Sequence, residues 1–159
     1  MLTNRVLTLA GGLSLAGLLA ACSATPPPQT AEAPPPAYTV TQTPTQTEYA
    51  VPDLLLFATD SAEVLPGGQR VIVDIATAAR DRGGMVEVAG YTDTTGSPDH
   101  NQRLSEARAQ AVAGAMAQAG IEPSRIQARG FGETELAVPT GDNTDEARNR
   151  RVVVRVAKN

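Results

Sequence analysis

GYTDTTGSPDHNQRLSEARAQAV, residues 90–112, passes from a glycine-bounded loop into a helix. Ser97-Pro98 supplies an N-cap followed by proline at the first helical position, and Gly120 with Pro123 beyond it ends the element. At about 100° per residue, Leu104, Ala111, Val112, Ala115 and Ala119 share one face, so the helix packs on an apolar layer. Arg108 falls in the same stripe, one turn beyond Leu104. A guanidinium there needs something negative to meet. The chain offers Asp93, fifteen residues earlier, just past a strand. Strand ends and helix starts share one rim in such folds, so Asp93 and Arg108 are expected to face one pocket. Either they form a structural pair that pins loop to helix, or they await a ligand.

Working outward, Met85-Val86-Glu87-Val88-Ala89 alternates into Gly90 and reads as a strand. Ile126 to Phe131 and Arg151 to Val156 read likewise, and the apolar run Leu54-Leu55-Leu56-Phe57 reads as a buried first strand. Pro66 opens a helix that buries Val71, Ile72, Ile75, Ala76 and Ala79 and stops at Arg82-Gly83-Gly84. Asn143-Thr144-Asp145-Glu146 has capping-box spacing for a short helix reaching about Asn149. The order is β-α-β-α-β-(short α)-β: an α/β fold, in the α+β sandwich sense, with helices on one mixed four-stranded sheet over residues 51–159. Aromatics make up 3% of the chain and Trp is absent, so Val, Leu, Ile and Ala must build the core.

Upstream, residues 1–21 have the form of an export signal. Arg5 gives the positive start, and the apolar run Val6–Leu18 is too short to cross a hydrocarbon core of roughly 30 Å. Leu19-Ala20-Ala21-Cys22 resembles the bacterial lipobox, which makes Cys22 the expected lipidation site and mature N-terminus. With Ser23 and not Asp after it, the resemblance to bacterial lipoproteins implies the outer membrane, with several acyl chains sufficient for stable anchoring. Residues 22–50 then form a lipidated, Pro/Thr-rich tether. Residues 23–50 hold seven of the twelve prolines and no Lys or Arg. That composition is expected to stay disordered and partly polyproline-II, reaching at most roughly 90 Å at about 3.1 Å per residue.

The formal net charge of −4 comes without basic clusters, which argues against nucleic acid as a partner. A single cysteine excludes an internal disulfide and a cysteine metal cluster. His100 is the only histidine, and no HxxE or Gly-x-Ser-x-Gly pattern occurs. Neither catalysis, a metal nor a cofactor is expected.

Gly90-Tyr91-Thr92-Asp93-Thr94-Thr95-Gly96, Asn101-Gln102-Arg103-Leu104-Ser105, Arg108-Ala109, Gly130-Phe131-Gly132-Glu133 and Asn149-Arg150-Arg151-Val152 together resemble the OmpA-like peptidoglycan-binding domain. The likeness runs in order over roughly residues 53–157. It implies an OmpA C-terminal-like fold that grips diaminopimelate, the zwitterionic residue of the peptidoglycan stem peptide. By that resemblance Asp93 meets the ammonium and Arg108 the carboxylate; without ligand the two either pair with each other or hold water. Thr94, Asn101, Thr59 and Arg151 complete the implied binding set. Asn101 serves either the ligand or a local turn, and the loop Ala58-Thr59-Asp60 lines the pocket through its backbone. Of Arg150 and Arg151, strand alternation lets at most one reach the site. Leu136 to Gly141 departs from the family's Pro-x-x-x-Asn form, which is expected to alter a loop and spare the pocket.

The expected function is therefore non-enzymatic: a lipoprotein on the periplasmic side of the outer membrane that ties it to peptidoglycan. The alternatives are a Tol-associated or assembly-type envelope lipoprotein with protein partners and, further off, a peptidoglycan-modifying enzyme.

Overall fold

In the strands Gln46–Pro52, Gly83–Tyr91 and Arg151–Lys158 every second residue turns the same way: Tyr49 and Val51, Val86 and Val88, and Val152, Val154 and Val156 are all buried on one face of a sheet. The computed structural model describes residues 37–158; the expected signal segment and Cys22 lie outside them. The order is β1 (Thr39–Gln42), β2 (Gln46–Pro52), α1 (Asp53–Leu56), α2 (Pro66–Arg80), β3 (Gly83–Tyr91), α3 (Pro98–Gln118), a 3₁₀ turn at Pro123–Arg125, β4 (Ile126–Gly130) and β5 (Arg151–Lys158). The strands form one mixed sheet in the order β1-β2-β5-β3-β4. Only β3 and β4 run parallel, joined by α3 as a parallel connection requires. Ile72, Ile75, Ala76 and Ala79 of α2 and Ala109, Val112 and Met116 of α3 close the core over the sheet.

The mixed α/β architecture is as expected, but the sheet has five strands and not four. The run Leu54–Phe57 is not a strand. Asp53–Leu56 makes one helical turn, which buries Leu56 under α2 while Phe57 forms an isolated bridge to Val64. The strand beside β5 is Gln46–Pro52, with β1 paired outside it, so residues 39–42 and 46–50 are sheet where a disordered tether was expected. Thr47, Tyr49 and Val51 alternate inward there. This is a β-prone period of two hidden among polar residues, and it settles only against the edge that β5 provides. The expected short helix at 143–149 is absent as well. Asn143 has a left-handed φ of 51°, and the Thr144 and Glu146 N–H groups donate to Thr94 and Asp93.

Two glycines set the height of α3. Gly90 and Gly130 are register partners. A Cβ on Gly90 would lie 2.2 Å from the Ser105 carbonyl oxygen, and one on Gly130 would lie 2.4 Å from the Glu106 nitrogen. The helix backbone therefore sits almost on the sheet, and Ser105 Oγ accepts a 2.8 Å hydrogen bond from the Gly132 N–H. Arg108 is one turn further along.

Register also defines a rim. Pro52 and Tyr91 both lie opposite Arg151, so Asp53, the loop containing Asp93, and Arg150 all emerge at one end of the sheet. Thr39 lies opposite Ala50, which starts β1 at that same end.

Candidate ligand-binding cleft

The buried face of α3 changes character along its length. Its later turns bury Val112, Ala115 and Met116, whereas its first turns bury Asn101, Ser105 and Arg108. The polar half looks into a cleft of about 490 Å³ at the rim, lined by α1, the loops after Phe57 and Tyr91, the start of α3, and Asp145 and Arg150. Asp93 and Arg108 share this cleft as expected. They are not paired with each other.

Arg108 meets Asp53. Its Nη1 lies 3.3 Å from Asp53 Oδ2, its Nε donates to the Ser61 carbonyl at 2.9 Å, and its guanidinium carbon sits 5.3 Å from the centre of the Phe57 ring. Nη2 takes part in none of these contacts. Burial pushes the Asp53 carboxyl above its ordinary value, with Arg108 and Arg150 pulling the other way. Burial likewise lowers the Arg108 guanidinium against the pull of Asp53. Both shifts have the sign of desolvation, so each charge depends on its neighbour. Asp53 Oδ1 is buried without a hydrogen-bond partner.

Asp93 meets Arg150. The Arg150 Nη1 donates to Asp93 Oδ2 at 2.5 Å, and the Thr95 and Glu146 N–H groups donate to the two carboxylate oxygens at 3.0 and 3.4 Å. Burial alone would raise this carboxyl, but Arg150 and the two backbone donors outweigh it and hold it below the usual range. Arg150 also bonds Asp145 and approaches Asp53, Nε to Oδ2 being 3.6 Å. The hydrogen bond to Asp145 raises the Arg150 pKa against the pull of burial, helped by the hydrogen bond to Asp93 and the charge of Asp53. Two guanidiniums and three carboxylates thus interlock at the cleft. Such an arrangement can hold a molecule carrying one ammonium and one carboxylate, through charge-assisted hydrogen bonds of about 1.5–3 kcal/mol each before desolvation. Among the described residues no group of three or more His, Cys, Asp or Glu is placed to share a metal ion.

The other expected site residues divide. Asn101 is buried and shares its amide hydrogens among the carbonyls of Asp93 and Thr95 and the Glu133 carboxylate, so it positions the loop while lining the cleft. Thr59 lines the mouth. Thr94 does not line it. Its hydroxyl donates to the Gly141 carbonyl and accepts from the Thr144 N–H, pinning the loop that carries Asp145. Arg151 is corrected to Arg150. Arg151 projects onto the other face of the sheet, 3.9 Å above the Tyr91 ring, and donates to the carbonyls of Asn149 and Glu135. His100 sits at the mouth, 2.8 Å from Asp60. The variant loop around Val138 is held by both side-chain polar atoms of Asn149.

Asp53 was missed because the reading of 54–57 as a strand made it a mere preceding residue. The only signal was an acidic residue directly after Pro52, and its meaning depended on register against β5.

Comparison with known proteins finds relatives in sequence and in fold. The sequence model of the OmpA family matches residues 56–150. The "Probable lipoprotein YiaD" of Escherichia coli is 34% identical over 105 residues, covering 65% of this chain and 48% of that protein. Outer membrane protein A of Klebsiella aerogenes is 35% identical over 103 residues, covering 63% of this chain and 29% of that one. The chain thus spans half or less of the length of these curated relatives. Among solved structures, the cell wall anchor of the T6SS from Pseudomonas aeruginosa superposes with a TM-score of 0.69 at 31% identity, covering 77% of this chain and 89% of that chain.

Proposed function

The chain belongs to the OmpA family, and on that premise we propose that its cleft binds peptidoglycan non-covalently through diaminopimelate of the stem peptide. The observation that carries this reading is the separation of Arg108 from Asp93, each held in the same cleft by its own partner. The ligand carboxylate reaches the free amino edge of Arg108. The ligand ammonium reaches Asp93, taking over or sharing the contact now made by Arg150. Each ligand charge replaces water or an internal partner, so affinity for one stem peptide is modest. A sacculus offers the ligand repeatedly, and effective concentration supplies the rest.

Cys22 is the proposed lipid site, and the chain hangs from the outer membrane with the cleft in the periplasm. The first described strand, β1, starts at the cleft end of the sheet.

Two experiments test the two halves. Chain from residue 23 onward, which keeps every described element, should sediment with isolated sacculi and be released by free meso-diaminopimelate; binding that the amino acid cannot compete contradicts the cleft assignment. In cells, wild type should incorporate labelled palmitate and fractionate with outer membrane, and Cys22→Ser should do neither. A Cys22→Ser protein still carrying label places the anchor elsewhere.

A further inference from the structure

Leu54 stands 61% exposed, the most exposed large apolar side chain among the described residues, and it lines the mouth of a cleft whose floor is charged. A single exposed leucine needs no explanation by itself. Its position asks for one. Leu54 follows Asp53 in the single turn of α1, and Asp53 contacts Arg108 directly. That turn is fixed at both ends, by the Asp53 N–H on the Arg150 carbonyl and the Phe57 N–H on the Asp53 carbonyl. The leucine is therefore presented on rigid backbone, one residue from the side chain that aims the guanidinium. Leu104, partly buried on α3, lines the same cleft.

We propose that Leu54, with Leu104 beside the cleft floor, forms an apolar shelf that selects a small aliphatic side chain on the residue next to the zwitterion in the bound peptide. This rests on the reading of the cleft as a diaminopimelate site. In a peptide the free ammonium and carboxylate of diaminopimelate are on the far carbon of its side chain, a few C–C bonds of about 1.5 Å from its backbone, and the next Cα is about 3.8 Å further on. A zwitterion seated on Asp93 and Arg108 thus leads the backbone out of the cleft and sets the neighbouring residue at its mouth, where Leu54 stands. An aliphatic group there loses its own exposure and covers that of Leu54. The shelf thus adds recognition of a peptide to recognition of a free amino acid, whose charges alone fill the floor.

The test is a methyl-labelled NMR titration of the chain from residue 23 with three probes: free meso-diaminopimelate, a stem tetrapeptide ending in diaminopimelyl-alanine, and the same peptide with glycine for that alanine. Wild type should favour the alanine peptide over the glycine peptide by about fourfold, as burial of one methyl group predicts, with Leu54 methyl signals shifting more for alanine. Leu54→Ser, at an exposed position, should abolish the preference and leave the affinity for free diaminopimelate unchanged. A preference that survives Leu54→Ser, or Leu54 methyls indifferent to the alanine, overturns the shelf while the charged site stands. Wild type binding none of the three probes overturns the diaminopimelate reading, and the shelf with it.

Discussion

Arg108 Nη1 lies 3.3 Å from Asp53 Oδ2, and the two side chains are all but sealed from solvent, at 3% and 7% exposed. This contact accounts for an arginine in the packed stripe of α3. Asp53 comes from the far side of the cleft, in α1 directly after β2, so the pair joins α3 to the end of the sheet across the cleft. In the proposed reading, the guanidinium that Asp53 holds in place is also the one that meets the ligand carboxylate.

Breaking the pair from either side leaves the other charge buried and uncompensated, which typically costs about 3–5 kcal/mol. Asp53→Ala should lower the unfolding free energy by that order in urea melts. The contact of Arg150 with Asp53 adds to the loss. A change of under 1 kcal/mol would mean that Ser61 and Phe57 suffice to hold Arg108.

Asp93 gives a pH signature of definite sign. Its folded pKa is held below the unfolded value of about 3.9, so its contribution to stability is full above that value and is lost as pH falls through the folded pKa. Asp53 is shifted the other way; its contribution is full below about 3.9 and lost as pH rises through the folded pKa. Asp93→Asn should therefore be less stable than wild type at neutral pH, with the gap closing below about pH 4. Arg150→Gln should raise the Asp93 pKa, read by carboxyl-carbon NMR.

Arg151 should behave as scaffold. Its guanidinium covers Tyr91, which also stacks on Phe131 at 5.2 Å between ring centres. Arg151→Ala should cost on the order of 1–2 kcal/mol in thermal or urea unfolding and leave sacculus binding unchanged. Loss of binding with stability intact would return Arg151 to the site.

Gly90→Ala should be among the most damaging small substitutions in the domain. Its Cβ would collide with helix backbone at Ser105, where no side chain can swing aside. A loss of several kcal/mol, or failure to fold, is expected in circular dichroism melts, whereas Gly114→Ala, with nothing within 4 Å of its Cβ, should be neutral or stabilising.

The sequence was most legible where local chemistry and tertiary packing agree. Ser97-Pro98 does cap α3, the Ser97 hydroxyl accepting from the His100 N–H. Pro66 opens α2, and the valines of β3 and β5 alternate as their spacing predicts. It was least legible where a segment takes its structure from a distant partner. Gln46–Pro52 is a strand only because β5 pairs with it over a hundred residues later, and Leu54–Phe57 is apolar enough for a strand yet turns as a helix under α2. The site followed the same division. Asp93 and Arg108, joined by a loop and a helix whose spacing is readable, were found together. Asp53 and Arg150 entered through strand register, which fixes both their proximity and the choice of Arg150 over Arg151.

The most direct test of the cleft assignment is sedimentation with purified sacculi of the chain from residue 23, as wild type, Asp93→Asn and Arg108→Lys, each checked for folding by circular dichroism. Arg108→Lys keeps the charge but loses the planar fork that suits a carboxylate. Wild type should pellet with the sacculi while the two folded variants stay in solution or pellet at least tenfold less. Equal sedimentation of all three would contradict the account and make the paired charges scaffold alone.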